Sequence, residues 1–528
     1  MKKEIPISFI FSTLTILHAV SQEKCDDVAE NFSCTTITAG KKATADGSVM
    51  TSHTDDSGRA KTWIEMVPEQ DHDLSEKVIL TKRKNIDTTV MRRRDNVKIG
   101  EIPQIEHTWG YINSEYPCLN NRQLGIGEST FGGRKSLQSD SGLINCNNLC
   151  RLMMERSTTA RGAIELADRL TKQYGWKGAG ECLTIADKKE VWHFEILGSG
   201  KNKKGAVWAA QRVPDDHVSV CANASRIRQI DLDNPDYFMA SDNVFYLAKD
   251  SGWWNPDDGL FEFCYAYAPK SRTHPACKLR EWRVLDYFAP SLNLHPNSEN
   301  YPFSVKPDKP VTLEMMKEIF SDYYEGTEFF YIKNLTITDD SGKTVLSPFA
   351  NPFMPFSMNK MFNINGTWGW RGERNIACYF TVYATIIQCR DWLPDDIGGV
   401  AWFGWDNVAT SVYIPIYGGV TDVPESYKIR GRETGYNRKS AWWGFNRLST
   451  IAGKRWGDMR KDVDTTWKPY QKQLFDNQKT IEEEAMVQPT REKRIRFLTG
   501  YTIQCGNTAY ETAWELGDFL WSKYSDGF

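Results

Sequence analysis

Residues 34–58 limit the possible folds of this chain more than any other stretch, because they combine a cysteine, a run of β-formers and a turn signal. The threonines and isoleucine at residues 35–38 directly follow Cys34 and favour an extended strand. Residues 45–48 read Ala-Asp-Gly-Ser, a typical turn, and the extended pattern resumes at residue 49. We therefore predict a β-hairpin with Cys34 at its exposed start.

The chemical role of Cys34 depends on the peptide bond that joins it to Ser33. If that bond is cut, Cys34 carries both a thiol and a free α-amine. An α-amine has an ordinary pKa of roughly 7.7 to 8.0 and a thiol one of about 8.5, so the amine can accept the thiol proton near neutral pH. One residue would then supply the nucleophile and its base. The alternative is a structural cysteine that begins an ordinary strand, and spacing alone does not separate the two.

The segment ahead of Cys34 has the pattern of an export signal followed by a short removable piece. Residues 1–21 begin with lysines, continue as an apolar run and end in Ala-Val-Ser, as a cleavable signal peptide does. Cleavage after Ser21 would leave residues 22–33 as a polar propeptide; the alternative is a disordered mature N-terminus. We therefore expect a secreted or periplasmic protein that has no membrane attachment after signal removal.

Composition argues against several classes of partner. The 528-residue chain has a formal net charge of -3 with 25% charged residues, which gives no electrostatic reason to bind nucleic acid or an anionic membrane. Its 12 cysteines include no Cys-x-x-Cys pair, and Cys146 and Cys150 have no histidine nearby in the sequence. We expect no metal and no organic cofactor, while a homo-oligomer stays open.

The order of the predicted elements indicates an α+β fold. Strands and turns fill residues 34–145, and apolar residues at three- and four-residue steps then predict two helices, which end before Gly175. Three short strands follow, at residues 181–187, 191–196 and 206–214. Strands, helices and strands in this order are typical of α+β proteins.

The second half of the chain is irregular at first and helical at its end. Beyond residue 232 it is rich in aromatic residues and loops, with a helix predicted over residues 312–324. Two further β runs end near residues 388 and 404. A helical C-terminal part is predicted from about residue 425 to residue 528, with a continuous helical pattern from Ser440.

Three polar residues follow a predicted strand. Asn223, at the end of that strand, can aim its side-chain N–H at an oxyanion, but it also begins an Asn-Ala-Ser glycosylation sequon and favours turns. Arg226 and Arg228 are candidate clamps for a substrate carboxylate, because a guanidinium fork matches a peptide C-terminus.

Other charged residues have less specific roles. Arg374 can bind substrate or form an internal salt bridge with Asp391 or Asp406, and we favour the salt bridge. His107 and His193 lie next to aromatic or strand positions and are interpreted as structural. A papain-like pair of cysteine and histidine is therefore less favoured than a self-sufficient N-terminal cysteine, although the sequence does not exclude it.

Several motifs resemble the dipeptidase A family of cysteine N-terminal-nucleophile (Ntn) hydrolases, which is related to the choloylglycine hydrolases. The motifs are Cys34-Thr35-Thr36, Gly40-Lys41-Lys42-Ala43, Asp46-Gly47-Ser48, Asp56-Ser57, Gly127-Glu128-Ser129-Thr130-Phe131-Gly132-Gly133-Arg134, Asn223-Ala224-Ser225-Arg226-Ile227, Arg390-Asp391-Trp392-Leu393-Pro394 and Gly398-Gly399-Val400-Ala401-Trp402-Phe403-Gly404. His53 departs from the pattern, since many members have arginine there. A guanidinium role is not carried over, and His53 is kept only as a candidate substrate-binding residue.

The resemblance implies a four-layer αββα sandwich over residues 34–528, with an aromatic-rich and C-terminally helical extension. It implies that Cys34 is the nucleophile, that Asp56 orients its α-amine and that Asn223 helps to hold the oxyanion. It also implies that Glu128 lies near the site. The implied activity is hydrolysis of dipeptides or other short peptides with free N-termini.

Two other functions stay open. The same fold can carry a non-peptide amidase, such as an acylase or a bile-salt hydrolase, because the fold fixes the nucleophile and not the acyl group. The chain can also be a secreted binding protein that has lost its activity, which His53 in place of arginine permits.

Overall fold

A computed structural model describes most of the chain, namely residues 34–87, 94–139, 141–201, 203–330, 332–353 and 373–526. The predicted signal peptide (residues 1–21) and propeptide (residues 22–33) lie outside these ranges. Within them, no helix has both the length and the apolar character needed to cross a membrane.

Short strands dominate the first part of the chain and return in its middle. Over the described residues the strands are β1 Cys34–Ala39, β2 Val49–Asp55, β3 Glu65–Val67, β4 Gln70–Asp71, β5 Lys77–Asn85, β6 Arg94–Pro103, β7 His107–Thr108, β8 Tyr111–Asn113, β9 Leu119–Asn120, β10 Gly125–Gly132, β11 Gly180–Ala186, β12 Val191–Gly198, β13 Ala206–Arg212, β14 Val218–Cys221, β15 Phe238–Ala240, β16 Ser304–Val305, β17 Thr336–Thr338, β18 Thr344–Leu346, β19 Tyr383–Cys389, β20 Val400–Trp405 and β21 Ile414–Tyr417. The three strands predicted after the first helices are therefore confirmed as β11, β12 and β13.

Two large sheets contain most of these strands. The seven-stranded sheet has the order β16-β14-β1-β2-β19-β20-β21, and the eight-stranded sheet has the order β15-β13-β12-β11-β10-β9-β8-β3. Three two-stranded ribbons, β4-β7, β5-β6 and β17-β18, complete the described pairings. All pairings between these named strands are antiparallel.

The predicted hairpin lies in the middle of the seven-stranded sheet. β1 pairs with β2, with Cys34 opposite Asp55, and Asp46 Oδ1 holds the turn by accepting bonds from the N and Oγ of Ser48 (3.0 and 2.7 Å). β1 also pairs with β14, and β2 with β19. The prediction of an exposed start is therefore wrong: Cys34 begins a central strand, and only 3% of its surface is exposed.

Small and hydroxyl-bearing residues allow the two large sheets to approach each other. Thr51 Oγ1 of β2 lies 2.8 Å from Thr184 Oγ1 of β11. Gly127 of β10 comes so close to β2 that a Cβ atom there would lie 2.2 Å from the carbonyl oxygen of Ser52. A side chain at Gly127 would push the sheets apart, so this glycine is required for the close approach.

The helices follow the predicted order. Within the described residues they are α1 Cys146–Arg156, α2 Ala160–Tyr174, α3 Val244–Asp250, α4 Phe263–Tyr267, α5 Pro275–Phe288, α6 Leu313–Phe320, α7 Asp395–Gly398, α8 Glu425–Lys428, α9 Ala441–Ala452, α10 Trp456–Met486 and α11 Arg491–Lys523. Gly175, with a φ of +77°, ends α2 as predicted. α6 is shorter than predicted, because Thr312 is its N-cap and Ser321 its C-cap.

Different helices pack against the two large sheets. α1 and α2 share an apolar cluster with the eight-stranded sheet, which includes Leu149 and Phe194. α9, α10 and α11 share another cluster with the seven-stranded sheet, where the ring centres of Trp402 and Phe475 lie 4.8 Å apart, edge to face. A mixed α/β fold with antiparallel sheets and a helical C-terminal region is thus confirmed, whereas the four-layer αββα arrangement stays a prediction.

The cysteines of the described residues are buried and form no disulfide with one another. They are Cys34, Cys118, Cys146, Cys150, Cys182, Cys221, Cys264, Cys277, Cys378, Cys389 and Cys505. In this part of the chain the fold is therefore held by packing and hydrogen bonds and not by disulfides.

Candidate active site

Cys34 is held at its backbone as well as at its side chain. Its N–H donates to Asn223 Oδ1 (3.2 Å), and its carbonyl oxygen accepts a bond from Arg280 Nη1 (2.7 Å). Its Sγ lies 3.4 Å from Glu128 Oε2. These partners come from the loop after β14, from α5 and from β10, so three separate elements converge on this one residue.

Asn223 has a left-handed backbone conformation, with a φ of +59°, which asparagine tolerates better than most residues. Its Oδ1 accepts bonds from Cys34 N and from Arg280 Nη2 (2.8 Å), and its Nδ2 donates to the carbonyl oxygen of Thr130 (2.7 Å). Because arginine can only donate, the amide oxygen must face Arg280. The amide is therefore fixed in orientation, with its oxygen towards the backbone nitrogen of Cys34.

Arg280 is a site residue that the sequence reasoning missed. It is fully buried, and its N–H groups donate to five neutral oxygens: Ala276 O, Cys34 O, Thr35 Oγ1, Ala222 O and Asn223 Oδ1. Burial, together with repulsion from Arg374, lowers its pKa to about 10, so it stays charged at neutral pH. A buried cation whose contacts are neutral favours an anion nearby, such as a thiolate or an oxyanion.

Asp56 is fully buried and accepts three hydrogen bonds. Arg374 Nη2 (2.8 Å) and Thr54 Oγ1 (3.0 Å) donate to its Oδ2, and Thr381 Oγ1 (2.7 Å) donates to its Oδ1. Thr54 Oγ1 in turn accepts a bond from the backbone N–H of Thr35 (3.0 Å). Asp56 is thus linked through one hydroxyl group to β1, next to the predicted nucleophile.

The internal salt bridge predicted for Arg374 is present, but the partners proposed for it are wrong. Arg374 pairs with Asp56, which lies 318 positions away in the sequence, and not with Asp391 or Asp406. Asp406 instead accepts bonds from two side chains of α9, at 2.8 and 2.5 Å. Arg374 therefore supports Asp56.

His53 lies on the face of β2 that meets β10. Its Nδ1 lies 2.8 Å from the carbonyl oxygen and 3.3 Å from the backbone nitrogen of Glu128. Burial lowers the pKa of His53 below its ordinary value of 6.5, so the ring is neutral at pH 7. Its Nε2 is buried and has no hydrogen-bond partner in the described part of the chain. His53 therefore does not supply the positive charge that an arginine would bring.

Three buried carboxyl groups near Cys34 form no ion pair with any described residue. Asp55 lies opposite Cys34 across the hairpin, and Glu181 of β11 adjoins Glu128 of β10. Burial, followed by the neighbouring Glu115 and Glu128, raises the pKa of Asp55. Burial and Glu128 likewise raise the pKa of Glu181. Among the described residues, these carboxyl groups therefore have no ion-pair partner.

Two groups of side chains at this site have the donor atoms of a metal centre. One atom each from Cys34, His53 and Glu128 lie within 4.8 Å of one another, and so do atoms from Glu128, Cys146 and Glu181. Sulfur, imidazole and carboxylate donors form the ligand set that Zn²⁺ prefers. Among the described residues, these are the ones that could hold a metal at this site, and the expectation that the protein needs none stays a prediction.

Arg226 and Arg228, the predicted carboxylate clamps, already have carboxylate partners within the protein. Arg226 is buried and pairs with Glu281, which also accepts a bond from Arg272 Nη1 (2.9 Å). Arg228 pairs with Glu262 and has 42% of its side chain exposed. A substrate could recruit Arg226 only by breaking a buried ion pair, and the carboxylate-clamp role of both arginines stays a prediction.

A peptidase family matches most of the chain. Residues 33–469 fit the profile of peptidase family C69, and the chain therefore belongs to this family. The match begins one residue before Cys34 and includes Asp56, Glu128, Asn223 and Arg280. The resemblance to dipeptidase A enzymes is thereby confirmed at the level of the family.

Several relatives cover most of the chain at low identity. A probable dipeptidase of Latilactobacillus sakei is 23% identical over 458 residues, covering 85% of this chain and 86% of that protein. A probable dipeptidase B of Lactococcus lactis is 24% identical over 92% of this chain and 94% of that protein. Dipeptidase A of Lactobacillus helveticus is 22% identical over 89% and 90%, respectively.

Proposed function

We propose that this chain is an exported dipeptidase in which Cys34, freed as the N-terminal residue, is the nucleophile. Membership of a peptidase family and relatives with dipeptidase names support this proposal. The observation that carries it is the convergence of Asn223, Arg280 and Glu128 on the nitrogen, carbonyl oxygen and sulfur of Cys34. Any buried backbone N–H and C=O need partners, but here both partners are polar side chains, one of them a buried guanidinium.

Removal of residues 22–33 would turn the backbone nitrogen of Cys34 into an α-amine. In the described structure this nitrogen already donates to Asn223 Oδ1, and the amine keeps that acceptor. The contact of Thr54 with both Asp56 and Thr35 holds β1, and with it the amine, in place. Asp56 thus acts on the amine through the strand, as a positioning residue.

The reaction proceeds through a thioester. The α-amine takes the thiol proton while Sγ attacks the scissile carbonyl carbon, and the resulting tetrahedral oxyanion collapses with loss of the leaving amino acid, which receives that proton. Water then attacks the thioester, the amine accepts a proton from the water, and Sγ regains a proton as the second amino acid leaves.

Two residues stabilise the negative charge that develops during this reaction. Arg280 provides a fixed positive charge next to Cys34, which favours thiolate and oxyanion. Asn223 Nδ2 has two hydrogens, and its bond to Thr130 uses one of them, so one N–H is left for the oxyanion.

The proposed enzyme has the four-layer αββα architecture of Ntn hydrolases over residues 34–528. Its signal peptide, residues 1–21, sends it to the periplasm or outside the cell. Its substrates are short peptides with free N-termini, and the mechanism requires no cofactor.

N-terminal sequencing of the exported, active protein tests the processing step, and we expect the mature chain to begin at Cys34. Cys34→Ser should lower dipeptide hydrolysis by about 10³-fold or more, whereas Cys505→Ser, which changes a buried thiol of α11, should retain it. Active material that begins upstream of Cys34 would contradict the mechanism. Hydrolysis of N-acyl amino acids but not of dipeptides would favour the non-peptide amidase instead.

A further inference from the structure

A cavity of about 480 Å³ lies between α6 and α10, away from the residues that surround Cys34. One wall is the face of α10 that carries Arg460, Trp467, Lys468 and Phe475, residues spaced at helical steps. Lys317 of α6 lies in the opposite wall. Small-molecule sites in proteins typically have volumes of about 300–1,000 Å³, so this cavity can hold a ligand.

Lys317 differs from the other basic residues of the cavity lining. Among the other basic residues of the lining, Arg460 and Lys468 pair with Asp464 (2.6 and 2.9 Å), and Lys472 pairs with a neighbour on its own helix (2.7 Å). Lys317 forms no ion pair with any residue that the structure describes. Lys317 is therefore a cation of the cavity without a counter-ion.

Lys317 is partly removed from solvent. Its Nζ lies 5.9 Å from the ring centre of Tyr413, and Lys317 is partly buried. Burial, with repulsion from Arg460, lowers its pKa to about 8, so the amine is still mainly charged at pH 7. A ligand carboxylate would replace the solvation that this ammonium has lost.

Aromatic side chains line the cavity as well. Trp467 and Phe475 belong to the α10 wall, and Trp467 Nε1 has no hydrogen-bond partner among the described residues. Buried tryptophans usually find an acceptor for this N–H. An apolar or aromatic group could therefore pack against this wall. The N–H of Trp467 would be a second hydrogen-bond donor for the ligand, besides the ammonium group of Lys317.

We propose that the cavity is a second ligand site, which binds a small carboxylate that carries an apolar or aromatic group. The carboxylate lies at Lys317, and the apolar group packs against Trp467 and Phe475. Five carboxylates also line the cavity: Asp464 and Asp322 pair with basic side chains, whereas Glu314, Glu318 and Glu325 have no ion-pair partner among the described residues. A ligand amine is therefore the alternative that the experiment must separate. This inference does not depend on the reaction proposed for Cys34.

Calorimetric titration of the full chain with 3-phenylpropionate tests the proposal. We expect saturable binding of one ligand per chain, and the same binding in Cys34→Ser, because the cavity does not include Cys34. The related amine 3-phenylpropylamine and L-phenylalaninamide, which lack a carboxylate, should bind at least about tenfold more weakly. Equal or tighter binding of either compound would overturn the proposal.

Substitutions in the cavity locate the ligand. Lys317→Met should weaken 3-phenylpropionate binding by about tenfold or more, whereas Lys317→Arg, which keeps the charge, should retain most of it. Lys461→Met is the matched control, because Lys461 lies on α10 outside the cavity and is 78% exposed. If Lys317→Met binds as tightly as the unmodified chain, or if binding is lost in Cys34→Ser, the site is elsewhere and the proposal is wrong.

Discussion

Two neighbouring residues of α5, Arg280 and Glu281, serve two buried polar clusters that differ in how their charges are balanced. Glu281 contacts two guanidinium groups, those of Arg226 and Arg272. Arg280 contacts five neutral oxygens, one of them the carbonyl oxygen of Cys34. Both clusters lie in the interior, so their different composition is not a matter of exposure to solvent.

The difference indicates which cluster stabilises the fold and which supports chemistry. Opposite charges in contact offset part of the free energy lost when each leaves water. Near Cys34 this compensation is missing, because Arg280 has neutral partners and the carboxyl groups of Asp55 and Glu181 have no basic partner among the described residues. A site of this kind keeps its charge available for a reacting group, at a cost to stability.

Glu281→Gln removes the carboxylate that pairs with Arg226 and Arg272, and it should have the largest effect. It leaves Arg226 and Arg272 buried without a carboxylate, so we expect the free energy of unfolding to fall by about 3–5 kcal/mol. Urea unfolding measures this change, and kcat of the remaining folded protein should not change. Unaltered stability would mean that the two arginines find other partners.

Arg280→Met removes the positive charge from the cluster around Cys34. We expect kcat/KM for a dipeptide to fall by about 10²- to 10³-fold, because the developing anion loses its fixed positive charge. Arg280→Lys should recover part of this loss, since it restores the charge but not all five bonds. Equal activity of both variants and the unmodified enzyme would show that Arg280 is only structural, and thermal unfolding controls for misfolding.

Glu181→Gln tests, through the pH dependence of stability, whether a buried carboxyl group near Cys34 lacks a basic partner. The pKa of Glu181 is raised in the folded state by burial and by Glu128, so its contribution to stability is full below the ordinary value of 4.5 and is lost as pH rises above it. The stability of Glu181→Gln relative to the unmodified chain should therefore increase with pH, by up to about 1.4 kcal/mol per pH unit. Unfolding curves between about pH 5 and pH 8 measure the difference in free energy of unfolding between the two proteins. A roughly constant difference over this range would contradict the raised pKa. Glu515→Gln is the surface control.

Arg228→Met should have the smallest effect. Arg228 is 42% exposed and pairs with Glu262 at the surface, where an ion pair contributes only about 0–1 kcal/mol. We expect KM for dipeptides to change by less than about twofold. A rise in KM of about tenfold, without a change in stability, would restore the role of carboxylate clamp that the sequence predicts.

Local signals in the sequence predicted much of the fold. The β-formers after Cys34 and the turn at residues 45–48 specified the hairpin, and Gly175 marked the end of α2, because each depends on neighbouring residues only. The burial of Cys34 was not predictable in this way. It results from the pairing of β1 with β14 and of β2 with β19, which lie far along the chain.

The residues of the candidate site likewise include some that local motifs predict and one that they do not. Asp56, Glu128 and Asn223 stand out in the sequence because short motifs contain them. Arg280 lies in an ordinary helix with no motif around it, and its contact with Cys34 spans 246 positions. No spacing rule connects residues so far apart, and only the packing of α5 against the loop after β14 brings them together.

Burial in the folded state protects the thiols of Cys118 and Cys277 from oxidation. Burial raises the pKa of Cys118 and Cys277 to about 12, so these sulfurs stay protonated and unreactive while the chain is folded. Once the chain opens, their pKa returns to about 8.5, and an oxidant can then join them in arrangements that the native fold never contains. Recovery from denaturation should therefore depend on whether a reductant is present, as much as on temperature or denaturant.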